Sequence, residues 1–502
     1  MVGAAEADNA HPYGVEPEGN AWCCPGTSVA SARCPGLGVL ARLDDATLIN
    51  EVFAWADGPS LCVLCVASGA LRCYASLEDL WKGVYLRRCG DRGAPLKYAH
   101  GSWKATTLGR ARASRVTRRV FSDVLYHPHR LARGEPLGRS LEGLEDAGTC
   151  ARERADGLSV ERFVADYETA GVPVVIEGGC GADAAKALWD RGALEERFGD
   201  RLFHVGGYEF ALRDFLSYAA ANGDDQPLYL FDKRFGEAAP ELLEAYTPAP
   251  YFADDLFGLL DDDGDARRPD WRWIIIGGER SGSAWHKDPN GTSAWNATLR
   301  GRKRWLFFPP KTTPPGVRPS ADGLDLVAPL SLAEWAHAFY AEARAHPHFV
   351  EAATGPGDLV FVPRGWWHSV INLDDFNVAL THNFCSPRGL ANTLNLLRTA
   401  PHLVSGIVRD ERLDECDDLD ENAKRAVVGA ALHDRFAAAL ARDRPEALAA
   451  AEEDLRKPKT LWAKMTSPGA GDDADLVCAG APPDEGPAKK KPKPSPFSFN
   501  FA

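Results

Sequence analysis

The chain has 502 residues, 45% of them hydrophobic, which is enough for two or three folded domains. No apolar run reaches the length of a membrane span, and the first residues lack the basic and apolar segment of a secretory signal, so we expect an intracellular protein. The net charge of −14 argues against broad, nonspecific binding to nucleic acid and is compatible with a basic peptide as substrate. Twelve cysteines at irregular spacings predict reduced thiols and no disulfide framework.

The first element predicted to fold is a small bundle of α-helices at residues 36–111, after a disordered N-terminus at residues 1–35. Its apolar residues recur at helical spacing: Leu40, Leu43, Leu48, Val52 and Phe53. The pattern closes at Leu80 and Trp81 and resembles an F-box, with Leu43-Asp-Asp in place of the usual leucine-proline start. The resemblance implies docking to a Skp1-like adaptor of a ubiquitin ligase through residues 36–110. A plain helical cap packed on the next domain is the alternative.

Residues 112–154 are rich in arginine and glycine, which predicts a solvated linker to the next domain. The segment contains His127-Pro-His129, a pair that could contribute to a metal site. Because the sequence offers no third ligand nearby, we interpret the pair as part of the linker.

A strand, a turn and a second strand are predicted between Trp271 and Pro289, from a β-branched and aromatic run interrupted by glycines. Strand side chains alternate between two faces, so His286 and Asp288 project to one face and Lys287 to the other. A histidine two places before an acid occurs about twice by chance in a chain of this composition. The pair alone is therefore weak evidence for a metal site, and the motifs around it decide its interpretation.

A hairpin is predicted next, from Ser293–Leu299 and Arg302–Phe308. In its second strand Lys303, Trp305 and Phe307 share one face. A lysine in that position either extends its ammonium along the apolar surface to solvent or meets an anion inside the domain. The second arrangement requires a partner charge, because an isolated buried ammonium costs several kcal/mol.

A second candidate histidine ligand, His368, lies just past a predicted tight turn. Leu359–Val362 reads as a strand and Trp366–Leu373 as the strand that returns, which places His368 beside the turn between them. In the strand that follows, Thr381 and Asn383 share one face. Two histidines and one carboxylate would leave coordination positions of a metal ion open for chemistry.

These motifs, in this order, resemble the Jumonji-C oxygenases, and most closely the phosphatidylserine-receptor-like branch of bifunctional arginine demethylases and lysyl-hydroxylases. The resemblance covers roughly residues 155–390. It rests on Gly291-Thr-Ser-Ala-Trp-Asn296, Gly301-Arg-Lys-Arg-Trp305 and Val362-Pro-Arg-Gly-Trp-Trp-His368, and it extends upstream through Pro227-Leu-Tyr-Leu-Phe-Asp232 and Tyr251-Phe-Ala-Asp-Asp-Leu-Phe257. It implies a mainly β catalytic domain, a double-stranded β-helix of the cupin-like jelly-roll type, with flanking α-helices.

The resemblance also implies a site with Fe(II) as metal and 2-oxoglutarate as cosubstrate. The metal ligands and catalytic residues would be His286, Asp288 and His368. The residues that match the family's cosubstrate pocket are Tyr229, Ser283, Asn296, Lys303, Thr381 and Asn383. The ammonium of Lys303 would pair with the distal carboxylate of 2-oxoglutarate, which would explain a cation on an inward face.

The activity implied is hydroxylation of lysine or demethylation of arginine side chains of proteins, with succinate and carbon dioxide as co-products. One alternative is an F-box substrate adaptor of a ubiquitin ligase whose barrel only binds its target. Another is an oxygenase of the same fold that acts on RNA or a small molecule. The metal triad and the lysine anchor together favour an enzyme over a binding-only barrel.

The C-terminal part is predicted to be helical and then disordered. Residues 391–466 are rich in alanine and leucine with helical periodicity, which predicts a helical extension that could form a homodimer face. Residues 467–502 cannot bury enough apolar surface to fold. Their basic cluster, Lys489-Lys-Lys-Pro-Lys493, resembles a nuclear localisation signal and predicts a nuclear protein, with the cytoplasm as the alternative.

Overall fold

The computed structural model describes residues 11–19, 33, 35–90, 94–99, 101–109, 120–133, 149–261, 268–320, 326–329, 331–407 and 420–457. The strands in these ranges are β1 Val15–Glu16, β2 Val120–Phe121, β3 Ala151–Arg154, β4 Val174–Glu177, β5 Leu202–Val205, β6 Tyr208–Ala211, β7 Leu230–Asp232, β8 Arg272–Gly277, β9 Gly282–His286, β10 Ser293–Arg300, β11 Lys303–Phe308, β12 Arg318–Pro319, β13 Leu326–Val327, β14 Val350–Thr354, β15 Leu359–Val362, β16 Trp367–Asn372 and β17 Asn377–Phe384.

The α-helices of more than four residues in the same ranges are Gly58–Ala67, Gly69–Tyr74, Glu78–Gly90, Trp103–Leu108, Asp123–Arg133, Arg191–Phe198, Leu212–Ala221, Leu332–Ala345, Leu390–Thr399, Glu421–Asp443 and Pro445–Arg456. None of the helices described is long and apolar enough to cross a membrane.

Two β-sheets face each other and enclose an apolar core. The larger sheet has nine strands in the order β3-β4-β15-β10-β17-β8-β7-β5-β6, and the smaller has four in the order β14-β11-β16-β9. Trp305 and Phe307 of the smaller sheet lie in one buried cluster with Val360 and Val362 of the larger sheet. The predicted fold, a mainly β cupin-like domain with flanking helices, is confirmed.

β10 and β11 lie in different sheets, and so do β15 and β16, so the two predicted hairpins are wrong. β10 pairs with β15 and β17, whereas β11 pairs with β14 and β16. The physical reason is burial, since every residue of β11 and of β16 is buried and neither strand has a solvent face. Gly301 carries the chain between the sheets with a φ of +71°, and a Cβ there would lie 2.2 Å from the Asn377 side chain.

A helix covers the outer face of the smaller sheet. Leu332–Ala345 contributes Trp335 to a buried cluster that also contains Trp285 and Trp367. Beneath the same helix, Arg304 and Glu351 form a buried ion pair at 2.8 Å. Trp285 and Trp367 therefore stabilise the barrel wall from outside and do not line its interior.

The N-terminal helices share their core with the nine-stranded sheet. One continuous buried cluster contains Leu61 and Trp81 from the helices together with Phe210 and Phe215 from the barrel side. The backbone N–H of Leu96 donates to Glu209 O at 2.7 Å, which extends pairing from the edge strand β6. The helical region is thus packed on the catalytic domain along one side.

Two short segments differ from the expectation of a disordered N-terminus and a solvated linker. β1 pairs in parallel with β2, and Asp123–Arg133 is a helix with Pro128 inside it. Tyr13 and Leu125 are buried in the N-terminal core. These apolar side chains anchor segments whose charge and glycine content had indicated solvation.

Three helices follow the barrel in the region predicted to be a helical extension. Leu390–Thr399, Glu421–Asp443 and Pro445–Arg456 enclose a small core of their own. Phe436 stacks on Phe257 with ring centroids 4.5 Å apart, which joins this core to the barrel.

Candidate metal centre and its pocket

Three potential metal ligands meet between the two sheets. His368 on β16 is the cross-strand partner of His286 on β9, and their ring centroids lie 4.1 Å apart. Asp288 follows β9, and its Oδ2 lies 4.0 Å from His368 Nε2. One ligand atom from each of the three residues lies within 4.8 Å of the others. The structure therefore brings the predicted triad together.

Backbone carbonyls orient both imidazole rings. Nδ1 of His286 lies 2.7 Å from Ala284 O, and Nδ1 of His368 lies 3.1 Å from Trp366 O. A carbonyl can only accept, so each Nδ1 carries the proton and the Nε2 lone pair is directed elsewhere. Burial lowers the pKa of both His286 and His368 to about 4, so both rings are neutral at pH 7, as metal ligation requires.

The third ligand has an oxygen that the protein does not satisfy. Asp288 Oδ2 is buried and has no hydrogen-bond partner among the described residues. Asn383 Nδ2 donates to the other oxygen, Oδ1, at 3.3 Å. Burial raises the pKa of Asp288 to about 6, which is what a carboxylate positioned for a cation shows before the cation binds. Two imidazoles and one carboxylate are the donor set of non-haem Fe(II) oxygenases, so these residues fit that metal.

A β-bulge brings Ser283 to the same face as His286. His368 lies opposite His286 and Val370 lies opposite Ser283, so three steps on β9 match two on β16. Directly paired residues share a face, and the extra residue restores a side chain that simple alternation would turn outward. Ser283 therefore lies in the pocket because of a bulge that a period-two reading of the sequence misses.

Lys303 is completely buried on the inner face of the smaller sheet. Its exposed fraction is 0%, so the alternative of an ammonium in solvent is excluded. Nζ donates to Asn372 Oδ1 at 2.8 Å and lies 6.0 Å from the centre of the Tyr229 ring. No carboxylate pairs with Lys303 among the described residues, and burial lowers its pKa to about 7. The position calls for an anion that the protein itself does not provide.

The larger sheet contributes three of the predicted pocket residues. Asn296 lies opposite Thr381, and the inner face continues to Asn383. Asn296 Oδ1 is buried without a hydrogen-bond partner among the described residues, so this amide is available to a ligand. Thr381 Oγ1 already donates to Trp295 O at 2.8 Å, and Asn383 binds Asp288 and Thr292. In this structure Asn383 orients a metal ligand.

Sequence reasoning missed several side chains of the pocket. Asn372 lies opposite Lys303, and Ser281 contacts it from the turn before β9. Asn372 could have been found, because it lies four residues after His368 and so on the same face of the strand. Phe231 and Trp273 stack on the inner face of the larger sheet at 5.5 Å, and neither was assigned to the pocket from the sequence.

Comparisons with known proteins agree with this geometry. The model of a cupin-like domain family matches residues 208–388, which include every predicted site residue. An arginine-specific demethylase of Arabidopsis thaliana, JMJ22, is 36% identical over 417 residues, covering 80% of this chain and 79% of that protein. The bifunctional arginine demethylase and lysyl-hydroxylase psr-1 of Caenorhabditis elegans is 37% identical over 254 residues, covering 47% of this chain and 62% of that protein. The mouse 2-oxoglutarate and iron-dependent oxygenase JMJD4 is 27% identical over 228 residues, covering 41% of this chain and 51% of that protein.

Proposed function

Because the chain belongs to the Jumonji-C family of iron- and 2-oxoglutarate-dependent oxygenases, we propose that it hydroxylates lysine or demethylates arginine side chains of proteins. The observation that carries this proposal is the meeting of His286, Asp288 and His368 within 4.8 Å in a pocket that also holds the fully buried Lys303. A barrel that only binds a target has no use for an unpaired buried ammonium, which reduces stability.

The chain's own residues would bind and orient the reactants. His286, Asp288 and His368 would hold Fe(II), and Lys303 would pair with the distal carboxylate of 2-oxoglutarate. Iron bound there would supply the oxidation of a substrate C–H bond by dioxygen, with one oxygen atom going to the substrate and the other to succinate as 2-oxoglutarate loses carbon dioxide. Asn383 keeps the Asp288 carboxylate oriented, and the buried amide of Asn296 would offer a hydrogen bond to the cosubstrate.

A stripe of aromatic rings on the inner face of the larger sheet supports the proposal that the substrate side chain is cationic. Tyr229 and Phe231 lie 6.5 Å apart, and Phe231 stacks on Trp273 at 5.5 Å. Tyr229 is buried near Lys303, whereas Phe231 and Trp273 are partly exposed. Trp273 also pairs across the sheet with Thr381 in the pocket. Arginine and methylated cations stack on such rings, and the net charge of −14 attracts basic peptides.

Turnover on peptides tests the proposal. The full chain with Fe(II) and 2-oxoglutarate is incubated with a library of lysine-rich, arginine-rich and methylarginine peptides, and succinate and peptide mass are measured. We expect succinate, with either the gain of one oxygen or the loss of a methyl group, and no turnover by His286→Ala. Absence of turnover together with no binding of iron or 2-oxoglutarate would rule out the enzyme.

The substitution Trp273→Leu tests the aromatic stripe. We expect the peptide KM to rise about 3- to 30-fold, the range of one cation–π contact, with an unchanged KM for 2-oxoglutarate. Trp335→Leu, on the outer face of the smaller sheet, is the matched control for loss of a tryptophan. Equal effects of Trp273→Leu on both KM values would contradict a role in substrate binding.

We also propose that residues 36–110 dock a protein partner, for which a Skp1-like adaptor is the candidate. The support is a set of exposed apolar side chains: Trp55 at 82%, Val63 at 63% and Val66 at 77%. Val63 and Val66 lie on one side of the helix Gly58–Ala67, whose opposite side is buried. A Skp1 pulldown should succeed with the wild type and fail with the double variant Val63→Glu, Val66→Glu. Failure with both would favour the helical cap.

Two further proposals concern assembly and location. We propose that the C-terminal helices form a homodimer face, which is supported by Val427, exposed at 49% on the helix Glu421–Asp443. Light scattering should show a dimer that Val427→Asp converts to a monomer, and a monomeric wild type would contradict it.

We propose nuclear location through Lys489-Lys-Lys-Pro-Lys493, which lies outside the described residues. A fluorescent fusion should be nuclear, and replacement of the four lysines by alanine should release it to the cytoplasm. An unchanged distribution would contradict this signal.

A further inference from the structure

Asn372 connects the buried lysine of the pocket to a fixed backbone acceptor. Its Oδ1 accepts from Lys303 Nζ at 2.8 Å, and its Nδ2 donates to Ser281 Oγ at 2.9 Å. Ser281 Oγ in turn donates to Gly278 O at 2.6 Å. Because the serine proton is committed to that carbonyl, its oxygen must accept, and the amide of Asn372 can point in only one direction. The amide oxygen therefore faces the ammonium.

The surroundings of Asn372 leave no room for another arrangement. Its side chain is 1% exposed and lies beside Tyr229, whose ring centre is 6.0 Å from Lys303 Nζ. A Cβ on Gly277 would lie 2.3 Å from Ser281 Oγ, 2.7 Å from the Tyr229 ring and 2.8 Å from Asn372 Nδ2. Only glycine at position 277 allows these groups to converge.

An amide at position 372 leaves the charge of the Lys303 ammonium uncompensated, whereas a carboxylate would neutralise it. A lysine ammonium has three donors, and Asn372 uses one of them without cancelling the charge. A carboxylate in the same place would form an ion pair, as Asp224 does with the other buried lysine, Lys82, at 2.8 Å. An ammonium held by an amide keeps two donors and its full charge for an incoming anion.

We propose that Asn372, oriented by Ser281, is a positioning residue that holds the Lys303 ammonium in place while reserving its charge for the distal carboxylate of the cosubstrate. The inference rests on the proposed function, since it assumes that 2-oxoglutarate binds at Lys303. It adds a residue pair that makes the pocket selective for a 2-oxo acid with a second carboxylate.

The substitution Asn372→Asp tests the proposal, because it changes the amide to a carboxylate of nearly equal size. Affinities for 2-oxoglutarate and for 2-oxopentanoate, which lacks the distal carboxylate, are measured by calorimetry on the full chain loaded with Mn(II). We expect the wild type to prefer 2-oxoglutarate strongly. In Asn372→Asp the preference should fall on the order of 100-fold, because a like charge faces the incoming carboxylate.

A second variant protects the test against misfolding. Ser281→Ala adds no charge but frees the amide to turn, and we expect the preference to fall several-fold with unchanged Mn(II) affinity. A purely structural role would weaken both 2-oxo acids equally and leave their ratio as in the wild type, and that result in both variants would overturn the proposal. A wild type without any preference would instead overturn the assignment of Lys303 as anchor, and the inference with it.

Discussion

Two lysines are buried in the described part of this chain, and they are held in opposite ways. Lys82 lies between the N-terminal helices and the barrel, where Asp224 binds its Nζ at 2.8 Å. Burial alone would lower the pKa of Lys82, but the charges of Asp224 and Asp79 outweigh it and raise the pKa. Lys303, with an amide as its partner, has its pKa lowered by burial to about 7.

The difference separates a charge that stabilises the fold from one that is kept for a ligand. Asp224 is satisfied from several sides, since Trp103 Nε1 and Tyr218 OH also donate to it. Such a network joins two parts of the chain and requires nothing from outside. The pocket around Lys303 holds an uncompensated cation, which costs stability and is retained where binding gains from it.

The largest expected effect concerns Lys82. Lys82→Met leaves Asp224 as a buried carboxylate without its cation, and we expect a loss of about 3 to 5 kcal/mol in the free energy of unfolding. Urea denaturation measures it, with Lys457→Met as control because that side chain is 62% exposed. Turnover per folded molecule should be unchanged. A loss below that of the control would mean that the two buried lysines do not differ as described.

The next effect is the pH dependence of cosubstrate binding. The pKa of Lys303 in the unliganded protein is lowered to about 7, and a carboxylate partner raises it, so binding takes up a proton above pH 7. The affinity for 2-oxoglutarate should therefore fall up to about tenfold per pH unit between pH 7 and 9. Burial keeps the pKa of the neighbouring Tyr229 above its usual value, so its hydroxyl stays neutral in this range.

Lys303→Arg is the control for this pH dependence, because a guanidinium stays charged at every pH of the range. Calorimetry should give weaker binding by this variant with little dependence on pH. An equal slope in wild type and variant would assign the pH effect to another group.

The smallest expected effect is the change in the free energy of unfolding when Lys303 is replaced. A lysine whose pKa is lower in the folded than in the unfolded chain reduces stability below the ordinary lysine pKa, and the penalty is greatest below pH 7. Lys303→Met should thus raise the free energy of unfolding by about 1 kcal/mol at pH 6.5, with the gain decreasing as pH rises. Loss of the donor to Asn372 limits the gain. Destabilisation at all pH values would contradict the account.

The pair His286 and Asp288 was predictable because its geometry is local, whereas the third ligand, His368, joins it through the pairing of β9 with β16. Alternation along a strand places His286 and Asp288 together. It also places Lys303 on one face with Trp305 and Phe307, but it left open whether the ammonium reached solvent or lay inside. Ser283 needed a bulge, which depends on the pairing of β9 with β16 and leaves no mark in the residues themselves. The role of Asn383 beside Asp288 likewise depends on a contact across 95 positions of the chain.

The fold was predictable in class but not in connectivity. The resemblance to the Jumonji-C oxygenases implied a barrel, yet adjacent strands were paired as hairpins although they belong to opposite sheets. Continuous burial of both strand faces is the signal that would have shown this. The packing of the N-terminal helices on β6 and around Asp224 could not be read from sequence, because it depends on long-range partners such as Lys82.

The most direct test titrates 2-oxoglutarate into Mn(II)-loaded wild type, Lys303→Met and Lys82→Met by calorimetry at pH 6.5. We expect all three proteins to bind Mn(II), and the wild type and Lys82→Met to bind one 2-oxoglutarate with similar affinity. Lys303→Met should bind 2-oxoglutarate at least about 100-fold more weakly. Binding of 2-oxoglutarate by Lys303→Met with wild-type affinity would contradict the assignment of Lys303 as anchor.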